Sequence, residues 1–240
     1  KIYPGYRNTL YAREEKDGIT IIRVWTYVTA NEGFLKRTLN YVSYMAAAIV
    51  AAPFIQKADI VISTSPQFFN GLAGYVVSRM KRAPWVLEIR DLWPQSILAV
   101  GAIKNPFIIH LLEWLELFAY RQADRIVPVT DAFQRYIEGK GIPKEKISVI
   151  KNGADLTLYK PVTGTNRLAE SLGVQGKFVA AYLGTHGMAH HLETVLYAAQ
   201  RLREYPDIVL ILAGDGAERQ RLAALRNELG LDNVLMLDQQ

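Results

Sequence analysis

Glycine and histidine crowd one short stretch of the chain, Ala181 to Ala199, AYLGTHGMAHHLETVLYAA, with a spacing that suits anion binding. An apolar strand runs into a turn bracketed by Gly184 and Gly187 and opens directly onto an amphipathic helix. In an open α/β sheet such a turn lies at the strand's carboxyl end, where the next helix offers unpaired N–H groups and its positive dipole end. That is a seat for phosphate. The glycines let the backbone bend sharply and approach a ligand, and His186, His190 and His191 could add charge if protonated. A plain strand-to-helix turn is the competing reading, since glycine-rich turns are common. The three histidines make a poor metal site, because no carboxylate stands at ligand spacing beside them.

A second set of polar residues follows other short apolar strands. Asp59 to Ser63 leads into Ser63-Thr64-Ser65-Pro66, which supplies hydroxyl caps and a proline for the first position of a helix. Trp85 to Ile89 leads into Arg90-Asp91-Leu92-Trp93-Pro94, Arg125 to Val129 into Thr130-Asp131, and Ile147 to Ile150 into Asn152-Gly153-Ala154-Asp155. Strands alternating with helices imply parallel pairing, so these exits gather along one rim. Asp91 could act there in a cleft or cap an apolar helix, a contribution of about 1 kcal/mol. Arg90 could hold a phosphate or an acceptor, or simply pair with Asp91.

The remaining elements carry these residues. Lys1 to Gly18 reads as a polar lead-in, with Asp17-Gly18 turning into a strand at Ile19 to Trp25. Phe34 to Phe54 has helical spacing, with Lys36 and Arg37 at its start. Asn105 to Gln122 is a greasy helix with a thin polar stripe of His110, Glu113, Glu116 and Tyr120. It is a core helix or, flanked by Lys104, Arg121 and Arg125, a surface that dips into a bilayer. The composition turns polar after Tyr159-Lys160-Pro161, which divides the chain into residues 1–160 and 161–240. The second part runs strand Phe178 to Leu183, helix Leu192 to Glu204, strand Ile208 to Ala213, Gly214-Asp215-Gly216, helix Ala217 to Leu229 and strand Asn233 to Leu237. Three strands and two helices are about half of a doubly wound domain, so an incomplete second lobe is expected.

Bulk properties narrow the classes. With 240 residues, half of them apolar, the chain has material for two modest globular domains. It contains no cysteine, which excludes disulfides, thiolate zinc sites and a cysteine nucleophile. Residues 1–160 hold 21 Lys and Arg against 14 Asp and Glu, whereas residues 161–240 hold 7 against 9, so the first lobe is the basic one. No nucleic-acid motif accompanies that charge. The most apolar run, Tyr41 to Ile55, is broken by Pro53 and is shorter than the roughly 20 residues of a membrane span.

Four runs in order carry a resemblance: LEIRDLWPQSI (Leu87 to Ile97), KNGADLTLYKP (Lys151 to Pro161), YLGTHGMAHHLETVL (Tyr182 to Leu196) and LILAGDGAE (Leu210 to Glu218). Together they resemble the retaining GT-B glycosyltransferases of family 4, in the bacterial O-antigen and colanic-acid branch that is similar to L-fucosamine (N-acetyl-fucosaminyl) transferases. The resemblance implies an α/β fold of two Rossmann-like lobes, a first acceptor-side domain over 1–160 that lacks its opening strand, and a partial donor-binding domain over 161–240. It implies transfer of a sugar, with retention, from a nucleotide diphosphate donor, expected to be a UDP-sugar, to a polyprenyl-diphosphate-linked saccharide. The implied place is the cytoplasmic face of the cell membrane, held peripherally, without a metal cofactor or nucleic acid. By the same resemblance Gly184, Thr185, His186, Gly187 and His190 lie against the diphosphate and Gly214, Asp215 and Gly216 border the nucleotide. Ser65 and Trp93 face the acceptor, and Asp91 and Arg90 are the catalytic pair, in a cleft between the lobes. No Asp-x-Asp pair occurs, unlike the metal-dependent alternative fold.

The chain also departs from the pattern. Relatives often have histidine where Arg90 stands, and an arginine and a lysine where this chain offers His186, Met188 and His190. A glycine-rich opening strand and a late paired-glutamate segment are absent, so little or no transfer is expected from these 240 residues alone. The rivals are a sugar-nucleotide epimerase of the same architecture and a non-catalytic nucleotide-sugar-binding module. A dinucleotide oxidoreductase fits poorly, since Gly184-Thr185-His186-Gly187 lacks the G-x-G-x-x-G form.

Overall fold

A computed structural model describes residues 6–29, 34–65, 68–99, 101, 103–161 and 167–238. Pro66, expected at a helix's first position, lies outside them. The chain divides into two compact units, Lys1–Ala154 and Asp155–Gln240, a boundary ahead of the Lys160-Pro161 junction suggested by composition.

The first unit opens on a hairpin in which β1 (Tyr11–Lys16) pairs antiparallel with β2 (Ile19–Val24). The expected polar lead-in is thus corrected to a strand. Its sequence, YAREEK, is exposed at all but one position, so no apolar alternation marks it. The turn sets the pairing instead: Asp17 and Gly18 have φ of 53° and 78°, the conformation that two-residue hairpin loops require. Helix α1 (Phe34–Ala51) follows, and a single 3-10 turn closes it at Ala52–Phe54, where Pro53 offers no N–H to continue the α ladder.

Three strands then make a parallel sheet in the order β3 (Val61–Thr64), β4 (Trp85–Ile89), β5 (Arg125–Pro128). Helices α2 (Phe68–Lys81), α3 (Gln95–Ala99) and α4 (Pro106–Gln122) connect them, and α5 (Asp131–Gly139) follows. Asn105 caps α4 and Thr130 caps α5, each side chain accepting from amides of the first turn. Trp85, Leu87, Ile89, Ala119, Ile126 and Ile137 form the core between sheet and helices. Helix α2 lies hard against β3: a Cβ at Gly74 would stand 2.3 Å from the Ser63 Oγ that accepts from the buried Trp85 indole N–H at 2.8 Å.

The strand expected at Ile147 to Ile150 is reduced to one bridge, Ile126 to Ile147. Ser148 and Ile150 donate to the carbonyls of Ile126 and Pro128, but Pro128 has no N–H to return, so the ladder stops. On α4 the polar stripe divides, with His110 exposed, Glu113 half-buried and only Glu116 and Tyr120 turned inward. Glu116 and Tyr120 are each 2% exposed, while Phe107, Leu111 and Trp114 are 77%, 45% and 61% exposed.

The second unit repeats the pattern with a parallel sheet in the order β6 (Phe178–Leu183), β7 (Ile208–Ala213), β8 (Val234–Leu237). Helices α7 (Glu193–Arg201) and α8 (Arg219–Glu228) join these strands, after a short α6 (Arg167–Ser171). Leu196, Leu210, Leu212, Leu222 and Val234 make one core cluster, and Val174, Val209, Ile211 and Ala213 make another. Alternate residues of β7 therefore enter different clusters, as a central strand requires. The edge strand β6 leaves Phe178 and Leu183 exposed.

Candidate functional site

In the first unit the exits of β3 and β4 are tied together by one hydroxyl. Ser65 is buried; its Oγ accepts from the amides of Arg90 (3.0 Å) and Asp91 (3.4 Å) and donates to the Asp91 carbonyl (3.3 Å). Ser65 thereby holds the backbone on which Asp91 is mounted. Asp91 itself is half-buried, and among the described residues its carboxylate meets no hydrogen-bond donor. It caps no helix, because α3 begins only at Gln95.

Arg90 does not pair with Asp91 among the described residues. Its guanidinium reaches Glu88 at 3.5 Å and the Asn152 side-chain oxygen at 3.0 Å. Glu88 also accepts from the Thr64 hydroxyl at 2.7 Å. Trp93 stacks on Phe68 with ring centroids 6.0 Å apart. The expected residues Ser65, Arg90, Asp91 and Trp93 thus share one rim, with Asn152 a further member that the sequence marks only as a strand-exit residue. Asp91 and Trp93 also line a cavity of about 30 Å³ together with Ser65, Leu87, Glu116 and Tyr120.

In the second unit the exits of β6 and β7 cross at backbone contact. A Cβ at Gly214, where φ is 138°, would lie 2.0 Å from the Gly184 carbonyl oxygen, and one at Gly216 would lie 2.5 Å from that of His186. Only glycine permits this approach. The His186 amide donates to the Asp215 carbonyl at 2.9 Å, and the Asp215 carboxylate accepts from the Gly216 amide at 2.8 Å. The Gly184 amide donates to Ala213. Among the described residues the amides of Thr185 and Gly187 have no protein acceptor, so this turn keeps two donors for an anion.

The strand does not open directly onto a helix, as expected. A 3-10 turn at Met188–His190 and a left-handed His191 (φ 46°) come between, and α7 starts at Glu193. That carboxylate already accepts at the helix's first turn and lies 3.2 Å from Arg221 and 3.4 Å from His191, so the dipole end is occupied by protein. The seat for an anion is the turn, not the helix.

The histidines also differ from the expected cations. His186 is 0% exposed and neither ring nitrogen has a partner among the described residues. Burial, and then the neighbouring Arg219, hold its pKa below the ordinary value against the pull of Asp215. It is neutral at neutral pH. His190 is exposed, with its ring 5.9 Å from that of Tyr182. Arg219 is committed to the carbonyls of Gly214 (2.8 Å) and Leu237 (2.9 Å) and to Asp238. No group of three His, Asp or Glu side chains among the described residues is arranged to hold a metal ion.

Two Rossmann-like parallel sheets with polar strand exits define the α/β fold of the GT-B glycosyltransferases. The glycosyl transferase 4-like domain matches residues 2–153, and the chain belongs to that family. It is 25% identical over 238 residues to WcaI of Escherichia coli K12, named for glycosyl transfer in colanic acid biosynthesis, covering 96% of this chain and 58% of that protein. It is 27% identical over 167 residues, 67% of this chain and 41% of the relative, to an Escherichia coli UDP-Gal:alpha-D-GlcNAc-diphosphoundecaprenol alpha-1,3-galactosyltransferase. Among solved structures, Anabaena Alr3699/HepE in complex with UDP-glucose aligns with a TM-score of 0.64 at 21% identity, over 91% of this chain and 55% of that one. The chain thus spans little more than half the length of these proteins or less.

Proposed function

We propose that the chain is the acceptor-side unit and part of the donor unit of a glycosyltransferase of surface polysaccharide biosynthesis. It moves a sugar, with retention, from a UDP-sugar to a polyprenyl-diphosphate-linked saccharide. The carrying observation is the second unit's turn, whose Thr185 and Gly187 amides are unpaired beside the glycine crossing at Gly184 and Gly214. As the donor's glycosidic bond breaks, negative charge grows on the diphosphate, and fixed backbone donors aimed there lower the barrier. Gly214, Asp215 and Gly216 border the nucleotide. His186, buried and neutral, fills the base of the turn, and His190 at the surface supplies charge when protonated. In the first unit Asp91 offers its unpaired carboxylate to the acceptor, Arg90 stands beside it and Trp93 forms the apolar wall.

The donor class is supported by the Anabaena protein, which holds UDP-glucose, and the acceptor class by the galactosyltransferase named for a diphosphoundecaprenol substrate. The exposed Phe107, Leu111 and Trp114 face of α4 supports a peripheral seat on the inner membrane surface, where such a lipid resides. Fucosamine remains one candidate among the sugars to be assayed.

The test incubates the chain, and any longer natural protein that contains it, with UDP-sugars and a polyprenyl-diphosphate saccharide. The expected product, from the longer protein and little or none from these 240 residues alone, is an enlarged lipid whose new linkage keeps the donor's anomeric configuration by NMR. An isomerised nucleotide sugar with an unchanged lipid would replace this reading with the epimerase. UDP binding by the longer protein without either product would leave a binding module.

A further inference from the structure

Arg90 and Asp91 are adjacent in sequence and opposite in charge, yet among the described residues they do not pair. The arginine is held elsewhere. Its Nη1 lies 3.5 Å from Glu88 Oε1, and its Nη2 donates to Asn152 Oδ1 at 3.0 Å. Glu88 is fixed in turn: its Oε2 accepts from the Thr64 hydroxyl at 2.7 Å, and Asn70 Nδ2 donates to the Thr64 carbonyl at 2.9 Å. The backbone is tied as well, since the Arg90 amide donates to Ser65 Oγ at 3.0 Å. A guanidinium carries five N–H groups. With two engaged, the other three have no acceptor among the described residues, and the side chain is 46% exposed. Lys151, next in sequence to Asn152, is spent on Asp131 at 2.8 Å.

We propose that Glu88 and Asn152 are positioning residues that hold the Arg90 guanidinium off Asp91, so that Arg90 grips a phosphate oxygen of the acceptor while Asp91 faces a hydroxyl of its sugar. This deepens the reading of the rim as the acceptor side and rests on it. A planar fork fixed at two points presents its remaining N–H groups in one direction, and little side-chain freedom is left to lose when an anion arrives. Free to turn, the same guanidinium would close on Asp91 and neutralise both groups. A glycosyl phosphate offers hydroxyls and phosphate oxygens within the width of one sugar ring, which suits an acid and a base that stand side by side without pairing. Glu88 repels an incoming anion by its charge and serves only as an anchor, and that gives the test a sign.

The test titrates the chain with N-acetylglucosamine 1-phosphate and follows the Arg90 Nε–H, the Asn152 side-chain amide and the Arg90 and Asp91 backbone amides by ¹⁵N NMR. All are expected to shift, whereas the methyl glycoside, which lacks the phosphate, leaves the Arg90 Nε–H in place. Arg90→Ala is expected to weaken binding about tenfold, as the loss of a charge-assisted hydrogen bond does. Asn152→Ala, at an exposed position, should weaken it in the same direction by releasing the guanidinium onto Asp91. Glu88→Ala should also weaken binding, but Glu88→Gln, which keeps an oxygen for Thr64 and Arg90 and removes the charge, should bind at least as tightly as the wild type. Tighter binding in both Glu88 variants, or unchanged binding in Asn152→Ala, would overturn the positioning role. An Arg90 Nε–H that stays still with the sugar phosphate and moves with UDP would overturn the proposal by assigning the guanidinium to the donor. No transfer occurs in these titrations, so their failure is distinct from a failure of the transferase reading.

Discussion

At the residue scale, His186 shows how a side chain whose type suggests a cation becomes a neutral filler. The unfolded imidazole titrates near 6.5, and the folded one lower because it is buried beside Arg219. Below about pH 6.5 the unfolded chain therefore takes up a proton that the folded unit refuses. The stabilisation is full above the unfolded value and is lost as pH falls through the folded one, with a slope of up to about 1.4 kcal/mol per pH unit. Hydrogen exchange of the β6 and β7 amides between about pH 7.5 and pH 5 is expected to show this decline. In His186→Phe, which keeps a ring in the site and removes the titration, the decline should be missing. An equal slope in both proteins would mean that another group governs it.

At the element scale, the strands were legible because buried parallel strands read as short apolar runs. VLILA at β7 and WVLEI at β4 needed no context. The packing that holds those strands is testable at Gly74. Gly74→Ala would press a methyl onto Ser63 and the Trp85 indole, so urea unfolding should show a loss of about 1–3 kcal/mol, the usual cost of overpacking. What the sequence hid depends on partners distant along the chain. Strand β1 is set by its turn rather than by its own pattern, and the fourth strand fails because Pro128 cannot return a bond. The delayed start of α7 depends on His191 adopting a left-handed conformation, which nothing in its neighbours' types announces. Of the candidate site, the glycines and Asp91 could be found from spacing. The hold of Ser65 on Asp91 and of Asn152 on Arg90 required the fold, since 26 and 62 residues separate the partners.

At the scale of the whole molecule, the excess of basic charge and one exposed apolar helix face belong to the same unit. The first unit carries the excess of basic residues, and α4 presents Phe107, Leu111 and Trp114 at spacings of four and three, which align on a helix. Trp114 stacks on Phe118 at 5.8 Å, so the stripe continues along the helix. No helix among the described residues is long and apolar enough to cross a membrane. An interfacial seat needs only a few apolar side chains at headgroup depth and cations nearby, and Arg121 ends the same helix. Flotation with anionic vesicles is expected to carry the protein upward at low ionic strength and to weaken as salt screens the basic surface. Phe107→Ser with Trp114→Ser should abolish flotation and lower thermal stability only by the lost Trp114–Phe118 contact, because both side chains are exposed and the buried face of α4, with Leu112, Glu116 and Tyr120, is untouched. Flotation that survives this double substitution but disappears in salt would assign the attachment to charge alone, and protein that stays at the bottom even at low salt would remove the membrane from the proposed function.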